Sequence, residues 1–237
     1  MVKAFFLALG VAGMSAASLQ AADCRLALLL ALDISSSVDR EEDALQRQGL
    51  AAALVAPEVL NAIFANQDYV ALAVYEWSGR YNQEILIDWT VLDQPATLVG
   101  VAERIAGSQR SYNTFPTAMG YALGFGAEMM QRAPACLFKT IDMAGDGQNN
   151  EGFGPLLAYR EFPFDGIVVN GLVVNAADFE AETGLINFYQ QEVIRGPGAF
   201  LEVAQGFEDY ERAMRRKLER EATPAIIGSL PHPRNGG

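Results

Sequence analysis

Residues 26–37 carry an apolar run closed by an acid and a group of serines: Leu26-Ala27-Leu28-Leu29-Leu30-Ala31-Leu32-Asp33-Ile34-Ser35-Ser36-Ser37. An uninterrupted apolar run of this length is typical of a strand that is buried on both faces in a parallel sheet. The polar residues then follow the carboxyl end of the strand, which is where ligands bind in such sheets. The stretch therefore predicts an α/β fold with a functional site directly after its first strand.

Strand and helix patterns alternate along the rest of the chain. Further strands are predicted at 69–77, 83–89, 137–144, 167–174 and 199–203, and helices at 39–55, from Pro57, at 95–107, 117–131, 185–193 and 207–221. The alternating pattern of Ile85, Ile87 and Trp89 is typical of an edge strand. We therefore predict a three-layer α/β/α fold, with a mostly parallel, doubly wound sheet and one antiparallel edge strand.

Both ends of the chain lie outside this pattern. Residues 1–22 carry Lys3, an apolar stretch and small residues up to Ala22, which predicts a signal peptide cleaved near Ala22. A retained N-terminal anchor is the alternative. We expect one domain at 23–222, a flexible tail at 223–237, no membrane span in the mature chain, and a periplasmic or secreted location.

Composition excludes several classes of protein. Among 237 residues there are 17 Lys and Arg against 29 Asp and Glu, a net charge of −12, which argues against nucleic acid as a partner. One histidine near the C-terminus and two cysteines cannot build a histidine-rich zinc site, a Ser-His-Asp triad within the core or a four-cysteine cluster.

The loops at the carboxyl ends of the predicted strands are rich in oxygen donors. Asp33, Ser35 and Ser37 follow the first strand, Asp146 follows the strand at 137–144, and Thr117 begins a predicted helix. Hard cations such as Mg²⁺ prefer carboxylate and hydroxyl oxygens, and Mg²⁺ commonly keeps open positions for water or a partner's oxygen. The sequence therefore predicts a divalent cation site, Mg²⁺ above all, with Mn²⁺ or Ca²⁺ as alternatives.

The order of these motifs resembles the von Willebrand factor type A domain and its metal-ion-dependent adhesion site (MIDAS). The resemblance implies direct ligation by Ser35, Ser37 and Thr117, with Asp33 and Asp146 acting directly or through water. Pro116 stands where the family usually has a glycine. Thr117 keeps the usual spacing to the helix glycine, and Thr114 is the alternative ligand.

Short motifs further resemble a bacterial secreted subgroup of unassigned function. They are Leu45-Gln46-Arg47, Glu76-Trp77-Ser78, Gly145-Asp146-Gly147-Gln148-Asn149-Asn150, Asn170-Gly171-Leu172 and Gly196-Pro197-Gly198-Ala199-Phe200. In the strand order of the family, the strands that begin near Cys24 and Cys136 are neighbours. The resemblance therefore implies a Cys24–Cys136 disulfide, with two free thiols as the alternative.

Several other residues have two interpretations. Thr114, Trp77, Gln148 and Asn149 are candidates for the rim of a partner-binding surface, although Trp77 could instead pack in the core. Asp142 interrupts an apolar strand, and we expect it to be buried and bonded either to the backbone or to a nearby base such as Lys139. The basic run from Arg212 to Arg220 is typical of a solvated, salt-bridged helix face.

These features favour a binding module over an enzyme. The hypothesis is a protein that captures an acidic group of an unknown protein partner through a Mg²⁺-type ion, as the resemblance implies. One alternative is a metal-dependent hydrolase or phosphatase using Asp33 and Asp146, but the motif loops lack a Lys or Arg to neutralise a phosphate. The other is a structural scaffold whose loops the metal staples together.

Overall fold

A computed structural model describes residues 23–175 and 179–224 of the chain. Within these residues a six-stranded sheet has the order β3-β2-β1-β4-β5-β6, and β3 is its antiparallel strand. The strands are β1 (Cys24–Asp33), β2 (Tyr69–Trp77), β3 (Gln83–Leu92), β4 (Phe138–Gly145), β5 (Ile167–Val174) and β6 (Leu201–Ala204). The predicted fold class, including the antiparallel edge strand, is confirmed.

Helices cover both faces of the sheet. They are α1 (Arg40–Leu54), α2 (Pro57–Ile63), α3 (Pro95–Ala106), α4 (Met119–Gln131), α5 (Pro155–Glu161), α6 (Phe179–Phe188) and α7 (Tyr210–Ala222). A π-helical turn, Tyr189–Val193, follows α6, and a 3₁₀ turn, Phe207–Asp209, precedes α7. In the described part of the chain, none of the helices is long and apolar enough to cross a membrane.

The central strand β1 feeds two cores because successive side chains of a strand point to opposite faces. Leu28 and Leu30 pack with residues of α1, α3 and α7, whereas Leu29 and Ala31 pack with residues of α4, α5 and the π-helical turn. All ten residues of β1 are buried. The continuous apolar pattern is thus explained by helices on both faces.

The start of α1 fixes the turn that follows β1. The Asp39 carboxylate accepts hydrogen bonds from the backbone N–H groups of Glu41 and Glu42, and the Glu42 carboxylate accepts one from the Asp39 N–H. This reciprocal capping satisfies backbone donors that a helix start leaves without partners. The turn carrying Ser35 to Ser37 is therefore held between a strand end and a capped helix.

Some element predictions need correction. The helix predicted from Thr117 begins at Met119, so Thr117 lies in the loop before α4. Helix α5 was not predicted, because its seven residues are too few to show a clear helical pattern. Its one local signal is Pro155 in the first turn, where the missing N–H costs nothing. The predicted signal peptide and residues 225–237 of the predicted tail lie outside the described residues.

Asp142 is buried, as expected, but its partner is not Lys139. Residues three apart in a strand point to opposite faces, so the side chain of Asp142 faces α7 instead. Lys217 of α7 lies with its Nζ 2.8 Å from Asp142 Oδ1 and 2.6 Å from Glu221 Oε1. Because Lys217 is fully buried, the expectation of a solvated basic face is wrong at this position.

Three arginines of the same basic run behave as expected, whereas Arg220 lies over the ring of Phe200, 3.7 Å from its centroid. They form ion pairs on the surface, Arg212 with Asp209, Arg215 with Glu58, and Arg216 with Glu202. A Cys24–Cys136 disulfide, with the two Cα atoms 4.4 Å apart, links the amino-terminal ends of β1 and β4. The predicted pairing of these cysteines is therefore confirmed.

Candidate metal centre

The candidate site lies where β1 and β4 end side by side. Asp33 is the last residue of β1, and Asp146 follows Gly145, the last residue of β4. The N–H of Ser35 donates to Asp33 Oδ1 at 2.7 Å, and the Ser37 hydroxyl donates to Asp146 Oδ1 at 2.7 Å. Parallel pairing of the two strands therefore brings together acids that are far apart in the sequence.

The hydroxyl groups converge on the same place. The Oγ atoms of Ser35 and Ser37 are 3.1 Å apart. A methyl group added at Gly147 would lie 3.4 Å from Thr117 Oγ1 and 3.9 Å from Ser37 Oγ. These are ordinary van der Waals distances, so the backbone after Asp146 passes close to both oxygens. All five predicted ligands therefore lie at the end of β1 or in the three loops that meet at this edge of the sheet.

Thr117 is held by the loop that follows β4. Its N–H donates to Asn150 Oδ1 at 2.9 Å, and its carbonyl accepts from the Asn150 N–H at 2.9 Å. Thr117 is buried, whereas Thr114 is exposed. This burial and the proximity to Gly147 favour Thr117 over Thr114 as the ligand.

The electrostatics of the site favour a cation. Burial, reinforced by the neighbouring charge of Asp146, raises the pKa of Asp33 to about 8. Burial also raises the pKa of Asp146. Asp33 Oδ2 is buried and has no hydrogen-bond partner among the described residues. The nearby charge of Arg110 offsets only part of this rise, so a divalent cation would supply the remaining positive charge to two neighbouring carboxylates.

The donor set is suited to a hard ion. The described residues contain no group of three or more His, Cys, Asp and Glu side chains that could hold a metal. What this edge of the sheet offers is two carboxylates and three hydroxyls, which fits Mg²⁺-type ligation better than zinc ligation by nitrogen and sulfur. The residues present therefore fit the ion that the resemblance implies.

The predicted rim residues do not share one environment. Thr114 and Gln148 are exposed, and Asn149 is half-buried, with its Oδ1 accepting from the Gly120 N–H at 3.2 Å. Trp77 is completely buried in the core beneath α4, so its assignment to the rim is wrong. Its side chain packs in the core on the face of the sheet that α4 covers, and so does not reach a partner-binding surface.

Sequence reasoning missed two residues that contact the site. The Gln46 amide donates to the backbone carbonyl of Asp33 at 3.0 Å. Tyr189 has its hydroxyl near the unpartnered oxygen of Asp33, because a methyl group added at Gly145 would lie 2.8 Å from both atoms. A polar residue on the buried face of α1 could have indicated Gln46, whereas no local pattern indicates Tyr189.

A family model described as "Protein of unknown function (DUF1194)" matches residues 23–226. No curated protein matches the chain. The match begins directly after the predicted signal peptide and spans all of the described residues. It agrees with the resemblance to a subgroup of unassigned function.

Solved structures show where the fold belongs. The chain is similar to proximal thread matrix protein 1 from the mussel byssus with a zinc-occupied MIDAS motif (14% identity, TM-score 0.59, 85% of this chain and 48% of that one). It is also similar to the pilus adhesin SpaC from Lactobacillus rhamnosus GG (14%, 0.61, 86% and 31%). A third similar structure is a von Willebrand factor type A protein from Catenulispora acidiphila (14%, 0.56, 84% and 43%).

At this level of identity the likeness shows the fold, which is that of the von Willebrand factor type A domain. The chain spans less than half the length of each of these three proteins. The likeness therefore extends to the fold and not to the chemistry of the site.

Proposed function

The chain belongs to the DUF1194 family, and from this premise we propose that it is a protein-binding module that captures an acidic group of its partner through a divalent cation. The observation that carries the proposal is the convergence of Ser37 and Thr117 on Gly147, together with a buried oxygen of Asp33 that has no hydrogen-bond partner among the described residues. Burial and the charge of Asp146 raise the pKa of Asp33, and a cation bound between these acids would stabilise their charged forms.

The residues that would hold the ion are Asp33, Ser35, Ser37, Thr117 and Asp146. When bound, the ion would act as a Lewis acid to which a carboxylate of the partner can bind. Asp33 and Ser35 form the buried floor of the site, whereas Ser37 reaches it from an exposed turn. The exposed side is where a partner has access.

The comparisons support binding more than catalysis. The similar structures include an adhesin and a byssal matrix protein. The likeness to them shows the fold and does not by itself transfer their activities to this chain. Hydrolysis using Asp33 and Asp146 is the alternative in another functional class, and a metal-stapled scaffold is the third. Mg²⁺ is the proposed ion, with Mn²⁺ or Ca²⁺ as alternatives.

We further propose that the protein works outside the cytoplasm. Disulfides persist in oxidising compartments and are rare in the cytosol, and the Cys24–Cys136 bridge agrees with the signal peptide proposed for residues 1–22. Expression with and without residues 1–22, followed by fractionation, tests this directly. A cytoplasmic full-length protein with reduced cysteines would contradict it.

The first experiment is a thermal melt of the purified protein in EDTA and then in Mg²⁺, Mn²⁺ or Ca²⁺. An ion at 100 times its Kd stabilises the native state by about 2.7 kcal/mol, which a melt resolves. Ser37→Ala should abolish the rise in Tm, because it removes a ligand from an exposed position. Ser36→Ala is the matched control, since Ser36 is an exposed serine in the same turn.

A second experiment separates the three candidate functions. Bound Mn²⁺ relaxes water protons, and a short peptide with one glutamate should reduce this relaxation by displacing water from the ion. The same peptide with glutamine should not. Relaxation that is unaffected by the glutamate peptide would favour the scaffold, and Mn²⁺-dependent hydrolysis of p-nitrophenyl phosphate would favour the enzyme.

A further inference from the structure

Arg110 uses all its donors on the backbone of the loops around the candidate site. Its Nε donates to the carbonyl of Tyr112 at 2.7 Å. Its two terminal nitrogens donate to four carbonyls of the turn between β1 and α1, those of Ile34, Ser35, Val38 and Asp39. A guanidinium has five N–H groups, so none is left for a ligand.

These bonds join two segments that carry the predicted hydroxyl ligands. The segment 34–39 carries Ser35 and Ser37, and the segment 108–117, which contains Arg110, ends at Thr117. A backbone hydrogen bond from the Ser36 N–H to the Phe115 carbonyl, 2.8 Å long, joins the same two segments. The distance between the hydroxyls therefore depends on this junction.

The segment around Arg110 is itself anchored to the core. The Ser111 N–H donates to Glu76 Oε1 at 2.7 Å, and the other oxygen of Glu76 pairs with Arg47 of α1. Arg47 also donates to Ser108 Oγ at 2.8 Å. Residues on both sides of Arg110 are thus fixed to a buried ion pair between α1 and β2.

Arg110 makes its direct contacts with uncharged groups. In residues 23–175 and 179–224 its hydrogen bonds go to neutral carbonyls, and it forms no ion pair. Burial raises the pKa of Asp33, and the nearby charge of Arg110 acts against that rise. A side chain placed only to neutralise an acid would not use all five donors on main-chain oxygens.

We propose that Arg110 is a positioning residue for the metal site, which holds the turn of Ser35 and Ser37 at the correct distance from Thr117. This inference rests on the proposed function and deepens it. Because its donors are used on backbone carbonyls, Arg110 would not be a ligand of the ion. It acts through the backbone of the ligands, as the outer hydrogen-bond partners of metal ligands do in many sites.

Space beside Arg110 makes a direct test available. A cavity of about 510 Å³ lies next to its side chain and is lined by residues that include Arg40, Arg47 and Gln109. In Arg110→Ala the vacated position is therefore open to a guanidinium ion from solution. A free guanidinium can restore the bonds to the carbonyls without restoring the covalent link to residue 110.

The experiment measures the Kd for Mn²⁺ by calorimetry, together with the Tm in EDTA. We expect Arg110→Ala to weaken Mn²⁺ binding by about tenfold or more, and guanidinium chloride in the tens of millimolar to restore part of the affinity that matched NaCl does not. Arg110→Lys keeps the charge but cannot span the carbonyls, so it should also bind weakly. Arg104→Ala, an exposed arginine on α3, is the matched control and should bind as the wild type does.

Each outcome decides a different point. Wild-type affinity in Arg110→Ala or in Arg110→Lys, with binding lost in Ser37→Ala, would overturn the positioning role and leave the metal site intact. Absence of Mn²⁺ binding in the wild type would overturn the proposed function as well. If Arg110→Ala does not fold, Arg110→Lys carries the test, because it retains the charge and most of the side-chain volume.

Discussion

Replacing Lys217 by methionine gives the sharpest test of the core. Lys217 is fully buried, and its ammonium lies 2.8 Å from Asp142 and 2.6 Å from Glu221, whose side chains are also buried. Removing one partner from a buried ionic group leaves an uncompensated charge and costs about 3–5 kcal/mol. Methionine keeps the volume, so the loss isolates the charge.

The pH dependence adds a second signature. Burial raises the pKa of Asp142 to about 7, against the opposing charge of Lys217. A carboxyl group whose folded pKa exceeds its unfolded pKa stabilises the fold fully below the unfolded value, and this contribution is lost as the pH rises through the folded value. Without Lys217 the pKa of Asp142 should rise further, so the loss should be largest at pH 8 and smaller at pH 5.5.

Urea unfolding followed by circular dichroism at the two pH values measures this difference, with the disulfide intact. Lys139→Met is the matched control, because Lys139 lies on the same strand as Asp142 but on its other face, and we expect it to cost less than about 1 kcal/mol. The reasoning is refuted if Lys217→Met unfolds at the wild-type urea concentration at pH 8, or if the two variants lose equal stability.

Three further predictions concern the ends of the central strands. Gly145→Ala should destabilise the fold by about 1–3 kcal/mol in a urea titration, since its methyl group would lie 2.8 Å from both Asp33 Oδ2 and the Tyr189 hydroxyl; unchanged stability would show that these atoms move apart freely. Tyr189→Phe removes a buried hydroxyl that has no hydrogen-bond partner among the described residues, so we expect the free energy of unfolding to stay within about 1 kcal/mol of the wild type or to rise, and a larger loss would reveal a partner for that hydroxyl. Replacing Cys24 and Cys136 together by serine opens a link between residues 112 apart in sequence and should cost about 2–5 kcal/mol in the same titration, whereas a smaller effect would mean that the unfolded chain is little constrained by the bridge.

The fold could be predicted because its signals are local. Short stretches of sequence indicate the strand β1, its end at an acid and the start of α1 at the capping residue Asp39. The set Asp33, Ser35 and Ser37 is equally local, and the parallel pairing of β1 with β4 brings Asp146 beside it. The expectation that β1 and β4 are neighbours came from the strand order of the family that the sequence resembles.

What could not be predicted depends on contacts between distant segments. Lys217 belongs to a helix whose charged pattern suggests a solvated surface, and only the approach of α7 to β4 shows that it is buried. Arg110 lies in a polar loop without a recognisable motif. Its carbonyl partners in the turn after β1 are 71 to 76 residues away in the sequence. Trp77 ends a strand, where sequence alone does not tell an inner face from an exposed rim.

The disulfide has a mechanical consequence for the candidate site. It ties β1 to β4 at their amino-terminal ends, and the two acids leave the same two strands at the other end. A slip of these strands by two residues would displace one acid from the other by roughly 6.6 Å. The disulfide opposes such a slip. A force applied to a partner bound at this edge would therefore be resisted by a covalent bond as well as by the hydrogen bonds between the strands.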